Sequence, residues 1–277
     1  MGAFLDLLSA GGKPLWLDYT AYAGRLLAKG APPWLDAGAC VAWQRKAQGL
    51  LKSSVATVAV APVCAAWLEA HTELREAMAA KRRAVFPLKT LLADEGLRAH
   101  LVELTGAMRA GSAGLPLVLV LPSPRRWLAL AQQQAHGAAD ESDEETIDSA
   151  AVYIADFLRA FGECGVDAVL FEETAEDEPA AVDAYQAALN VAGHYRWDTG
   201  LRLPAAAKFA AAGPLSFVIA PKPVPGARAG GVVPAEFWAQ SKAGAAPPKR
   251  PEGGFLYAEI PATAQPEAVL DRLALLR

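Results

Sequence analysis

Two neighbouring carboxylates, Glu172 and Glu173, close and follow the apolar run Val166–Glu172 (VDAVLFE). Side chains on a strand alternate between its faces, so one of the pair points into the interior of a sheet or barrel and the other away from it. The spacing leaves open which. A carboxylate so placed, near cations such as Arg126 and Lys222, acts as a general base, ligand anchor or metal ligand, and the alternative is an ion pair that only seals the fold. Asp18 follows Leu15, Trp16 and Leu17, and a carboxylate at the end of so apolar a segment needs a partner. Arg125 and Arg126 follow a Ser-Pro turn and open a helix, an arrangement that grips a carboxylate or phosphate through bidentate contacts beside a helix N-terminus. Arg196 and Trp197 fall near the end of another run, with Arg202 as the alternative terminus, and Trp127 and Trp197 suit the wall of a pocket for an apolar or aromatic ligand. The candidate catalytic residues are thus Glu172, Glu173 and Asp18, and the candidate substrate-binding residues Arg126, Lys222, Arg196 and Trp197.

Other chemistries lack their residues. No G-x-S-x-G elbow, Walker loop or G-x-G-x-x-G turn is present, which argues against serine hydrolase, P-loop and nicotinamide reactions. His71 and His100 lie in helical stretches, His136 in a polar loop, and only His194 near a strand. Cys40, Cys64 and Cys164 form neither a C-x-x-C pair nor a cluster with histidine, so no metal site and no cofactor is expected.

The elements that must position these residues follow a repeating pattern. Eight short runs read as strands: Pro14–Tyr19, Val55–Ala61, Ala84–Lys89, Leu115–Leu121, Val166–Glu172, His194–Leu203, Leu215–Ala220 and Gly254–Ile260. Helical periodicity fills most of the intervals, as in Ala37–Leu51, Ala65–Ala80, Leu91–Arg109, Thr146–Glu163, Ala180–Ala192 and Gln265–Leu276. Strand-helix alternation demands a parallel sheet with right-handed crossovers, and eight units close into an α/β (β/α)8 TIM barrel, a parallel eight-stranded barrel in one domain over residues 1–277. An open doubly wound sheet is the alternative. In a barrel the site forms at the C-terminal strand ends, where Asp18, Lys89, Arg126, the two glutamates, Lys222 and Glu259 are predicted to gather. Pro87 fits poorly inside the third strand, and Gly200 with its polar neighbours shortens the sixth. Three connections are rich in turn formers: Gln132–Thr146, whose Asp143–Thr146 supplies a helix N-cap, Pro221–Gly231, read as a lid, and Ala243–Gly254.

Composition sets the class. With 53% hydrophobic and 20% charged residues the chain is globular, and a formal charge of −4 gives no bias toward nucleic acid or an anionic membrane. No apolar run reaches the length of a membrane span, no signal peptide is read at the N-terminus, and the sparse cysteines suit a reducing cytoplasm. The expected partner is a small carboxylated molecule, with self-association through an apolar outer helix face as a further expectation.

Three segments carry a family resemblance. Trp16–Leu27 (WLDYTAYAGRLL), Leu115–Leu130 (LPLVLVLPSPRRWLAL) and Ile154–Pro179 (IADFLRAFGECGVDAVLFEETAEDEP) resemble the superfamily of uroporphyrinogen decarboxylase, cobalamin-independent methionine synthase and corrinoid methyltransferases. The resemblance implies a (β/α)8 barrel, a carboxylated organic substrate, and methyl transfer or decarboxylation. The decarboxylase motif R-Q-A-G-R aligns its last three residues with Ala23, Gly24 and Arg25, which adds Arg25 to the substrate-binding candidates, while Ala21 stands at the first arginine. The zinc-binding His and Cys pattern of the methyltransferases finds His194 but no cysteine beyond Cys164, so the chain resembles a divergent, metal-independent member. A barrel that has lost catalysis and serves binding or assembly is the alternative.

Overall fold

The computed structural model describes residues 3–10, 12–112, 114–139, 142–173, 182–204, 212–239 and 246–277. Parts of the predicted segments Gln132–Thr146, Ile154–Pro179, Ala180–Ala192 and Ala243–Gly254 lie outside the described residues.

In chain order the elements are α1 (Ala3–Ala10), β1 (Leu15–Asp18), α2 (Thr20–Ala28), α3 (Ala37–Leu51), β2 (Ala56–Ala59), α4 (Val60–Ala70), α5 (Thr72–Met78), α6 (Phe86–Ala93), α7 (Glu95–Gly111) and β3 (Leu117–Pro122). They continue with α8 (Pro124–His136), α9 (Glu144–Arg159), β4 (Ala168–Glu172), α10 (Gln186–His194), β5 (Asp198–Arg202), β6 (Phe217–Ala220), β7 (Arg228–Val232), α11 (Glu236–Ala239), β8 (Phe255–Glu259) and α12 (Pro266–Leu276). The eight strands form one parallel sheet in the order β1-β8-β7-β6-β5-β4-β3-β2, curled into a TIM-barrel-like (β/α)8 fold. At the β1–β2 seam side chains supplement the backbone. Ser54 N–H donates to the Leu15 carbonyl at 2.9 Å, and the Ser54 and Ser53 hydroxyls accept from Leu15 and Leu17 N–H, both at 3.0 Å.

Strand parity sorts the apolar residues into two cores. Trp16, Val118, Leu170, Phe217, Ile219, Phe255 and Tyr257 fill the barrel, and Leu17, Leu119, Val169, Phe171, Leu201 and Val218 pack outward against the helices. Strands buried on both faces are expected to read as unbroken apolar runs, as LVLVLP and FVIA do. At the N-terminal end of the strands α1 inserts Phe4, Leu5 and Leu8, with the Phe4 ring 5.1 Å from Phe217 and 5.9 Å from Trp16. Leu5 N–H donates to Asp198 Oδ2 at 3.3 Å, and Arg228 donates to the Leu5 carbonyl and Ser9 Oγ, which ties α1 to β5 and β7. That end of the barrel is plugged, and chemistry belongs at the other.

Two strand assignments require correction. Ala84–Lys89, predicted as the third strand, leads into α6, where Pro87 sits in the first turn; there the missing N–H has no helical partner to lose, so proline starts the helix instead of breaking a strand. Arg228–Val232, read as part of a glycine-rich lid, is β7. Its glycines are packing requirements: a Cβ on Gly230 would stand 2.8 Å from both Ile219 and Phe255, and one on Gly231 2.9 Å from Pro251. The predicted sixth strand is half its expected length, because His194 ends α10 and pairing begins at Asp198. Gly200 in this strand faces the Phe217 ring, 2.1 Å from where a Cβ would be.

Candidate functional site

The mouth of the barrel is built from alternate residues at the strand ends. On β4 the inward set is Ala168, Leu170 and Glu172, so Glu172 reaches the mouth and Glu173 turns toward the helices. Register places Glu172 directly beside Arg202 of β5, and Asp18 of β1 beside Glu259 of β8. Arg126 arrives from the first turn of α8, whose start is fixed by Ser123: its hydroxyl accepts from Arg126 N–H at 3.2 Å, and Pro124 occupies the opening helical position.

These groups form one chain of charges. Glu172 Oε2 accepts from Arg126 Nη1 at 2.9 Å, and Glu172 Oε1 accepts from Arg202 Nη1 at 2.8 Å. The second Arg202 nitrogen donates to Glu259 Oε2 at 2.6 Å, and the guanidinium lies over the Tyr257 ring, 4.8 Å from its centroid. Burial pulls against the charge of Arg202, but nearby Tyr257, Glu172 and Glu259 outweigh it and raise the guanidinium above its ordinary range. The Tyr257 hydroxyl donates to Asp18 Oδ2 at 3.4 Å; burial first, and then the Asp18 charge, push this phenol well above its ordinary value. Asp18 Oδ1 accepts from Thr20 N–H at 3.1 Å, and no cation pairs with Asp18 among the described residues.

Beside this chain a cavity of about 360 Å³ opens between the ends of β1–β4 and helices α4, α6 and α8. Asp18, Arg126 and Glu172 face it on one side, and Leu68, Leu91 and Leu130 form an apolar wall on the other. The volume lies at the lower end of the range for small-ligand sites, and a few polar groups over an apolar wall is their usual composition. Cys64 also lines the cavity, yet burial pushes its thiol up to about 12, which keeps it protonated and poorly nucleophilic near neutral pH.

The remaining candidates are dispersed. Glu173 is buried outside the barrel, where Oε2 accepts from the Tyr185 hydroxyl at 3.0 Å and Oε1 lies 3.4 Å from Arg125 Nη2. Lys222 is exposed just past the end of β6 and does not line the cavity. Arg25 is exposed on α2 and donates to the Ala264 carbonyl at 2.9 Å, which ties α2 to the segment before α12. Arg196 and Trp197 precede β5 and therefore stand at the plugged end, opposite the mouth; Arg196 is exposed with φ of 60°, and Trp197 is buried against Tyr195 with ring centroids 4.9 Å apart. Lys89, expected at a strand end, sits on α6 with its ammonium 5.4 Å from the centroid of Tyr153.

Arg202, Glu259 and Tyr257 complete the mouth. Parity could have found Tyr257, which stands two residues before Glu259 on the same strand face. Among the described residues no group of three or more His, Cys, Asp or Glu side chains is arranged to hold a metal ion, and no helix is long and apolar enough to cross a membrane. No protein-family model matches this chain, and no curated protein matches it either.

Proposed function

We propose that the barrel mouth binds a small organic molecule bearing a carboxylate, and that the chain is a divergent relative of the uroporphyrinogen decarboxylase and methionine synthase superfamily acting in the cytoplasm by metal-independent group transfer or decarboxylation. The observation that carries this reading is the open cavity bounded by Asp18, Arg126 and Glu172 above the apolar wall of Leu68, Leu91 and Leu130. Arg126 anchors the ligand carboxylate, the apolar wall takes its body, Glu172 moves the proton, and Asp18, which no described cation neutralises, faces positive charge that develops on the substrate. Lys222 and Arg25 have no part in this reading.

The second reading is a binding or assembly protein on the same barrel. It is favoured by the saturation of Glu172, whose two oxygens are both held by guanidinium groups. Ligand binding separates a working mouth from a sealed one. Benzoate and a panel of larger aromatic carboxylates are expected to raise the melting temperature in proportion to the logarithm of their concentration, and Arg126→Ala to abolish the rise while leaving the fold intact. A panel in which no carboxylate shifts the transition refutes ligand binding at the mouth, and turnover of a bound member separates enzyme from binding protein.

A further inference from the structure

The two arginines that share Glu172 are held very differently. Arg202 belongs to the sheet: it ends β5 beside Glu172 in the ladder, and Glu172, Glu259 and the Tyr257 ring fix it from three directions. Arg126 is borne by the first turn of a helix and faces the cavity, which Arg202 and Glu259 do not line. Each guanidinium takes a single oxygen of Glu172. A guanidinium forms its strongest carboxylate contact as a two-bond fork, and Arg126 has only half of one.

We propose that Arg202 is a positioning residue that keeps Arg126 available to ligand, by holding Glu172 through its other oxygen. The inference rests on the reading of the mouth as a carboxylate site. An arriving carboxylate replaces Glu172 Oε2 on Arg126 and forms the full fork, while Glu172 stays in place, still charge-paired with Arg202. Without Arg202 the glutamate has one guanidinium left, closes on it with both oxygens and becomes a direct competitor of the ligand. Arg202 thus controls binding at a cavity that it does not line.

A thermodynamic cycle tests this, with benzoate as the probe and isothermal titration of the full chain as the assay. Glu172→Gln removes the competitor and is expected to tighten benzoate binding. Arg202→Gln is expected to weaken it about tenfold, the scale of one charge-assisted hydrogen bond. The double variant Arg202→Gln/Glu172→Gln is expected to return to the affinity of Glu172→Gln alone, because Arg202 has no other route to the ligand. A purely structural role for Arg202 has no reason to be rescued by removing Glu172. Arg202→Lys, which keeps the charge without the fork, is expected to fall between wild type and Arg202→Gln, and it supplies the comparison if the glutamine variant does not fold. Benzoate binding that weakens in Arg202→Gln and stays weak in the double variant, or that does not change in either Arg202 variant, refutes the role of Arg202 and leaves the carboxylate site standing. If neither benzoate nor any larger carboxylate of the panel binds wild type or Glu172→Gln, the site itself is overturned; if only a larger member binds, the same cycle is read with that member.

Discussion

Replacing Tyr185 with phenylalanine removes one oxygen atom and tests the division of labour between Glu172 and Glu173. The Tyr185 hydroxyl donates to Glu173 Oε2 at 3.0 Å, where the Glu173 side chain is 1% exposed and Tyr185 itself 1% exposed. A hydrogen bond to a buried charged group contributes about 1.5–3 kcal/mol. Arg125 still holds the other oxygen, at a loose 3.4 Å, so a loss of about 2 kcal/mol is expected for Tyr185→Phe. Urea unfolding measures it through the midpoint at constant slope. In the cycle with Glu173→Gln the two substitutions should couple by about 1 kcal/mol or more, because they remove the same contact. Glu173→Gln should leave benzoate affinity unchanged, since Glu173 points away from the mouth. A loss below about 0.5 kcal/mol for Tyr185→Phe, the level of an ordinary surface substitution, refutes the structural role, and a changed benzoate affinity in Glu173→Gln refutes the assignment of the two faces.

Alkaline titration should destabilise the protein steeply. Burial raises the phenols of Tyr19, Tyr185 and Tyr257 above their ordinary value of 10.0, so below pH 10 both folded and unfolded chains keep these protons and stability is complete. Above pH 10 the unfolded chain ionises first, and each buried phenol removes up to about 1.4 kcal/mol per pH unit until its folded value is reached; a flat stability profile between pH 10 and 11 would contradict this. Gly200→Ala places a methyl group against the Phe217 ring and should cost at least 1–3 kcal/mol by denaturant unfolding, partly restored by Phe217→Leu; a neutral Gly200→Ala would show the ring free to move. Phe4→Ala should cost about 3–5 kcal/mol, because the ring is fully buried between Trp16 and Phe217; a loss under 1 kcal/mol would mean that α1 does not plug the barrel. Ser53→Ala removes the acceptor of the Leu17 amide and should speed its hydrogen exchange relative to amides on β3, and equal protection would show the seam held without the hydroxyl.

The barrel was legible because strands buried on both faces announce themselves. LVLVLP, VDAVLFE and PLWLDY have no amphipathic alternation to confuse with a surface helix, and all three runs contain strands of the sheet. The two failures have one cause each and happen to cancel in the strand count. Phe86 and Pro87 follow a β-branched residue and looked like a strand interrupted by proline, whereas proline in a first helical turn loses nothing. ARAGGV looked like a loop because strand glycines contribute no side chain to recognise. What makes them a strand lies in other segments: Phe255 and Ile219 fill the space that side chains at β7 would occupy. Large rings facing missing side chains are a tertiary bargain, and no local propensity reports it.

For the site, strand position carried further than residue type. Asp18, Arg126 and Glu172 meet at one cavity because each ends a strand or opens the helix that follows one. Arg196 and Trp197 do not join them because β5 begins after these two residues, at Asp198, and ends at Arg202, the second of the two termini the sequence allows. In a barrel the choice of terminus matters more than the choice of face, since the two ends of a strand lie on opposite sides of the molecule; with the strand ending at Arg202 and not near Arg196, Arg196 stands at the plugged end. The same terminus sets Arg202 inward with Glu172 on the neighbouring strand, and so places the second guanidinium of the mouth. Two adjacent glutamates thus have separate duties for a geometric reason. The pleat sends Glu172 to a pair of arginines at an open cavity and Glu173 to a tyrosine in the closed layer behind it, where a charge can hold the fold together without meeting a ligand.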